Sequence, residues 1–256
     1  MMLDQRGRHF DPVLLDAFME VLGRSGPDAR EQTWVDPQVL VESTLGAYST
    51  ALERGDAEMA EEAIATAVEG GIPPTMLHGE VIAPALRRIG RLSADGQLDA
   101  QREERATAIT RRVLATLYRY MLDGVEPTRE RVLIAGAEGD GHALGLQMMH
   151  DQLAAAGYKT ILDTHLSVER LRVMVESESP DLIVLGATSG MDAQALESAV
   201  DDLRASHPDI PIVLGGAAVG GGVPYERRGT RVLERIEESV EAVEDLLAGT
   251  RPTPSL

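Results

Sequence analysis

Arg131-Val-Leu-Ile-Ala135, followed by Glu138-Gly-Asp-Gly-His-Ala-Leu-Gly145, decides how this chain folds. A short apolar run bounded by polar turn residues reads as a strand buried on both faces. The glycine-rich segment after it leads into an amphipathic stretch from Leu146 to Ala155, so a strand here turns into a helix. Ligands of open α/β sheets bind outside the carboxyl ends of the strands. The turn after this strand carries His142, a good metal ligand, with Gly141 before it. Asp140, two residues away, is spaced to hold one ring nitrogen and leave the other free to coordinate.

Beyond that turn the same pattern repeats. Further strands are expected at Lys159 to Leu162, Leu182 to Leu185, Ile212 to Leu214 and, more briefly, Thr230 to Val232, with helices between and after them. Such alternation predicts a doubly wound parallel sheet, flavodoxin-like or Rossmann-like, with helices on both faces. Before Asp123-Gly-Val-Glu-Pro127 the apolar positions recur instead at helical spacing. Thr75 to Leu92 places Leu77, Val81, Ile82, Leu86 and Ile89 on one side, and Asp99 to Met121 does so with Ala106, Ile109, Val113, Leu114, Leu117 and Met121. The expected architecture is an N-terminal helical bundle, residues 1–125, followed by an α/β domain, residues 126–256. Trp34 is read as a core anchor and Asp163 as the end of the second strand or a helix cap.

Composition narrows the chemistry. There is no cysteine, so disulfides, thiolate zinc sites and iron-sulfur clusters are excluded. A net charge of -18 with no basic stripe argues against direct nucleic-acid binding, which needs clustered Lys and Arg. The first residues lack an apolar signal core and no stretch is long enough to span a membrane, so a cytoplasmic location is expected.

Three segments follow predicted strands and should meet at one sheet edge: Glu138 to Gly145, Gly186 to Met191 with Thr188 and Ser189, and Gly215 to Pro224 beginning Gly215-Gly216. Asp140-x-His142-x-x-Gly145, a hydroxyl-bearing loop and a later Gly-Gly together resemble a cobalamin-binding domain. The run Leu144-Gly145-Leu146, Met148, Leu153, Ala156-Gly157 and Val168 to Leu171 is similar to that domain in methionine synthase and in the cobalamin-dependent light-responsive regulators. The resemblance implies that His142 ligates cobalt from below and Asp140 orients it. It also implies that Gly145, Gly215 and Gly216 make room for the nucleotide tail and that Thr188 or Ser189 hydrogen-bonds it. The family's usual serine falls at Gly186, a departure. A rival reading, Gly139-x-Gly141-x-x-x-Gly145 as a dinucleotide fingerprint with Asp163 as its acid, has the wrong glycine spacing and sets Asp140 beside a pyrophosphate.

The helical half also resembles the regulators' cap, through Ile89-Gly90-Arg91-Leu92 and Arg105 to Thr110. Ser93 stands where that cap has Trp, and Glu103-Glu104 where it has Glu-His. These three residues are expected at the upper face of the corrin, with Arg88, Arg91, Arg105, Arg111 and Arg112 nearby to meet a guest's carboxylates. The resemblance implies a non-enzymatic photoreceptor holding adenosylcobalamin, with a noncovalent biliverdin as second pigment and an oligomer interface or protein partner as output. A corrinoid methyl-carrier subunit is the alternative.

Overall fold

The computed structural model describes residues 36–137, 143–186, 190–216 and 229–250. Among the described residues, five α-helices and one π-helical turn come first. Helix α1 (Pro37–Arg54) starts on a proline, whose fixed φ and missing N–H suit a first helical position. Helix α2 (Ala57–Glu69) is capped by Asp56, which accepts a 3.0 Å bond from the Met59 N–H. Next, α3 (Pro74–Leu77), a π-helical turn (His78–Ile82) and α4 (Ala83–Ala94) run on without a break. Pro84 explains the π turn: lacking an N–H, it cannot bond the carbonyl four residues back, and the Ala83 N–H reaches the His78 carbonyl instead.

Helix α5 (Ala100–Met121) begins at Asp99, whose carboxylate accepts from the Arg102 N–H at 2.9 Å. It buries the six apolar residues its spacing predicts, together with Thr110. Thr110 receives a 3.1 Å bond from the Tyr48 hydroxyl of α1, and burial pushes that phenol up to about 12.

The α/β half contains β1 (Arg131–Ala137), α6 (Leu144–Ala155), β2 (Lys159–Leu166), α7 (Val168–Glu178), β3 (Leu182–Gly186), α8 (Gly190–Ser206), β4 (Ile212–Gly215), β5 (Thr230–Leu233), a 3-10 turn (Ile236–Glu238) and α9 (Ser239–Thr250). All strand pairs are parallel, in the order β2-β1-β3-β4-β5. The expected fold class is thus present, fifth strand included. Asp163 differs from expectation: β2 runs on to Leu166, so Asp163 lies within the strand, paired with Ala135 and ion-paired to Arg170 at 2.8 Å.

Alternate strand residues face opposite layers. Leu133, Ile183 and Ile212 pack with Leu171, Val200 and Leu203 of α7 and α8. Val132, Ile134, Val184 and Val213 pack with Met149 and Leu153 of α6 and Val243 of α9. Helix α6 has a second apolar stripe, Leu144 and Met148, which enters the core of the helical half. Each such fully buried side chain stabilises by about 1.5–3 kcal/mol. The two halves are therefore welded along α6. Among the described residues no helix is long and apolar enough to cross a membrane.

Candidate functional site

With β1 flanked by β2 on one side and β3 on the other, the connections leaving β1 and β3 diverge. The sheet has its switch point there, between the carboxyl ends of β1 and β3, which is where ligands of such sheets bind. Gly136, Gly186 and Gly215 lie in register across that edge. By strand alternation all three face the α6 and α9 side, as Ile134, Val184 and Val213 do.

The reason for glycine differs at each position. The β1–β2 ladder shifts register between Ala135 and Ala137, and this bulge brings the Thr164 carbonyl to 3.0 Å from where a Gly136 Cβ would stand. Leu146 Cδ1 is 2.8 Å from the same point, so a methyl there would need the Leu146 side chain to turn away and the Thr164 backbone to give by a few tenths of an ångström. At Gly186 only Leu146 intrudes, with Cδ2 at 2.6 Å from the would-be Cβ. Among the described residues Gly215 has nothing nearer than the Leu233 carbonyl at 4.0 Å. The switch point thus has a row of glycines, covered at two positions by Leu146 and, among the described residues, uncovered at the third.

Several expected site residues can be placed on this frame. Gly145 is exposed in the first turn of α6, with nothing within 4 Å of a notional Cβ. Gly216 has φ of 102°, a conformation that favours glycine. Asp140, Gly141, His142, Thr188 and Ser189 lie outside the described residues, as does Trp34. In the cap, the Ser93 hydroxyl donates to the Glu103 carboxylate across the turn joining α4 to α5, while Glu104 is exposed. The structure therefore joins two of the three expected upper-face residues. Two arginines expected to meet a guest are ion-paired within the cap, Arg88 to Glu53 at 2.5 Å and Arg112 to Glu61 at 2.7 Å. Arg105 lays its aliphatic stem over Gly55.

Reading the sequence missed Gly136 and Leu146. The Ala135-Gly136-Ala137 run of small residues at a strand end was the available signal. It also missed a buried polar seam between the halves. His78, in the π turn, is wholly buried and neither ring nitrogen makes a hydrogen bond of normal geometry, although the Met148 carbonyl is near enough to act on the ring. Burial lowers its pKa, opposed by the Asp151 carboxylate and the Met148 carbonyl of α6. Asp151, equally buried, accepts from Gln147 Nε2 at 2.7 Å and lies 3.0 Å from His150 Nδ1, leaving Oδ2 unpaired. Gln152 Nε2 donates to the Thr75 carbonyl at 2.8 Å, and the Tyr118 ring of α5 meets the His150 ring at 5.6 Å. Helix α6 is therefore held to the cap by polar as well as apolar contacts.

A cavity of about 500 Å³ lies at the amino edge of the sheet, lined by Thr128, Arg129, Arg131, Lys159 and Asp181 among others. It is on the opposite edge from the switch point.

Residues 130–243 match the family model of the B12 binding domain, and residues 45–118 match a second B12 binding domain model. The chain accordingly carries both B12 binding domains, a helical one preceding an α/β one. Its fold is that of corrinoid proteins. The monomethylamine corrinoid protein of Methanosarcina barkeri superposes with a TM-score of 0.71 at 14% identity, covering 80% of this chain and 99% of that one. The methanol:cobalamin methyltransferase complex MtaBC of the same organism gives 0.46 at 19% identity, over 94% of this chain and 93% of that one. A cobalamin-binding protein from Desulfitobacterium hafniense gives 0.42 at 17%, over 79% and 98%. No curated protein sequence matches the chain.

The described residues fit such a ligand. A row of glycines beside a switch point offers a ligand bare backbone, uncovered at Gly215 and reachable at Gly136 and Gly186 once the Leu146 side chain turns away.

Proposed function

We propose that the chain is a corrinoid carrier: it holds cobalamin and presents it to a partner methyltransferase, and is not itself the catalyst. The single observation that carries this reading is the tandem of helical and α/β B12 binding modules on a fold that covers 99% of a corrinoid protein. The cap, within residues 1–125, serves as the roof and residues 126–256 as the cradle. His142 would ligate the cobalt and Asp140 would fix its tautomer through the other ring nitrogen. Gly141 and Gly145 would keep the approach free of side chains, Gly215 and Gly216 would leave backbone to the nucleotide tail, and Thr188 or Ser189 would donate a hydroxyl to it. Ser93, Glu103 and Glu104 stand on the roof side, where the Ser93–Glu103 bond braces the α4–α5 turn. When bound, the cobalt supplies a site that takes up and gives away a methyl group. The protein's part is to bind, orient and keep the exchange confined.

The test is methyl transfer. Protein loaded with methylcobalamin and mixed with a corrinoid-dependent methyltransferase is expected to lose its methyl group, followed by absorbance; loaded protein that keeps it with every such enzyme contradicts the reading. The same preparation separates the sensor implied by resemblance to the light-responsive regulators. A carrier loaded with adenosylcobalamin keeps its elution volume after illumination, whereas a photoreceptor changes it, and a biliverdin-binding one also co-elutes with a red-absorbing band.

A further inference from the structure

Gly186 is the informative position of the glycine row. Gly136 is crowded by the Thr164 backbone as well as by a side chain, and Gly215 is uncrowded among the described residues. At Gly186 the three heavy atoms nearest a notional Cβ all belong to one side chain: Leu146 Cδ2 at 2.6 Å, Cγ at 3.2 Å and Cδ1 at 3.4 Å. The whole branched end of Leu146 rests on the last residue of β3, and its Cδ1 reaches Gly136 at the end of β1. Leu146 therefore bridges the two strands that flank the switch point.

We propose that Leu146 is the size filter of this site: the side chain that a group entering between α6 and the glycine row must push aside, and whose bulk sets how readily the nucleotide tail of a corrinoid enters. The inference rests on the cobalamin reading and deepens it.

Four points support it. Interiors are close-packed, so the space Leu146 fills is not available to anything else until the side chain moves. It can move: it lies in the first turn of α6, only half-buried, and a leucine changes rotamer without backbone motion. The rest of α6 is held to both cores through Met148, Met149 and Leu153, so the obstacle is the side chain and not the helix. Finally, positions 136, 186 and 215 carry no side chain, so the described floor selects by fit. In such a site one methylene more or less changes discrimination by roughly 10–200-fold.

The experiment compares two probes on the full chain: cobalamin, and cobinamide, which has the same corrin ring without the nucleotide tail. Association rates are measured by stopped-flow absorbance for the wild type, Leu146→Ala and Leu146→Phe. The expected result is a cobalamin-to-cobinamide rate ratio that falls in the order Ala, Leu, Phe, by about tenfold or more between Leu and Phe. A constant ratio, or any other order, overturns the filter. Should the Phe variant not fold, the Ala variant decides alone, through a ratio above that of the wild type. Gly186→Ser supplies an independent readout: it should lower the melting temperature, and adding Leu146→Ala should restore it. If the wild type binds neither corrinoid, the cobalamin reading itself has failed and the filter falls with it. Binding of both with an unchanged ratio sinks the filter alone.

Discussion

Helix α6 presents two faces to two different kinds of core. Toward the cap it offers Leu144 and Met148, and beside them a polar seam of Gln147, His150 and Asp151 facing His78 and Tyr118. Toward the sheet it offers Met149 and Leu153 with no polar partner, and at its start Leu146 over bare glycines. The sheet side is specified by packing alone, whereas the cap side adds buried polar groups that must find one another. That difference makes the cap interface the more adjustable of the two, because incompletely paired buried groups cost free energy that rearrangement can recover.

The largest expected effect tests the weld itself. Leu153→Ala should cost about 2–5 kcal/mol, and Met148→Ala a loss in the same range, each in urea unfolding followed by circular dichroism. Both variants should unfold in one transition, since Met148 belongs to the cap core and Leu153 to the sheet core of a single helix. Two separated transitions for Met148→Ala would show that the cap folds independently.

Next comes pH. The folded His78 pKa is lowered, so below the ordinary value of about 6.5 the unfolded chain takes up a proton that the folded one refuses. Its contribution is complete above that value and is lost as the pH falls toward the depressed folded value. Wild-type stability should therefore drop more steeply than that of His78→Gln below about pH 6.5, by up to about 1.4 kcal/mol per pH unit for one proton. Parallel pH profiles for the two proteins would remove His78 from the seam's titration.

The smallest effect concerns the helix starts. Asp56→Ala and Asp99→Ala each remove a side-chain acceptor from a first-turn N–H and should cost about 1 kcal/mol, read as a lower urea midpoint with unchanged slope. A loss below the error of the midpoint would mean that water replaces these caps.

Legibility followed the same division. The buried stripe of α5 and the five strands were readable because helical and strand periods leave local traces in the order of apolar residues. The π turn was not, since its cause, Pro84, acts on a carbonyl four residues back and leaves the apolar spacing nearly intact. Gly215 and Gly216 were noticed as a pair, yet the row Gly136–Gly186–Gly215 was not, because it exists only once three strands far apart in sequence are in register. Leu146 looked like one more apolar residue of an amphipathic helix. Its placement on Gly186 is a tertiary fact with no local signature. Ser93 and Glu103 were picked out separately through resemblance, and their hydrogen bond depends on how the α4–α5 turn closes.

The central claim is that this chain holds cobalamin at the carboxyl edge of its sheet. Gel filtration of the full chain with a slight excess of cobalamin, monitored across the visible spectrum, tests it most directly. The corrinoid is expected to co-elute with the protein in equal amount, and His142→Ala to change the bound spectrum or loosen the complex. Cobalamin that elutes wholly apart from the wild-type protein would contradict it.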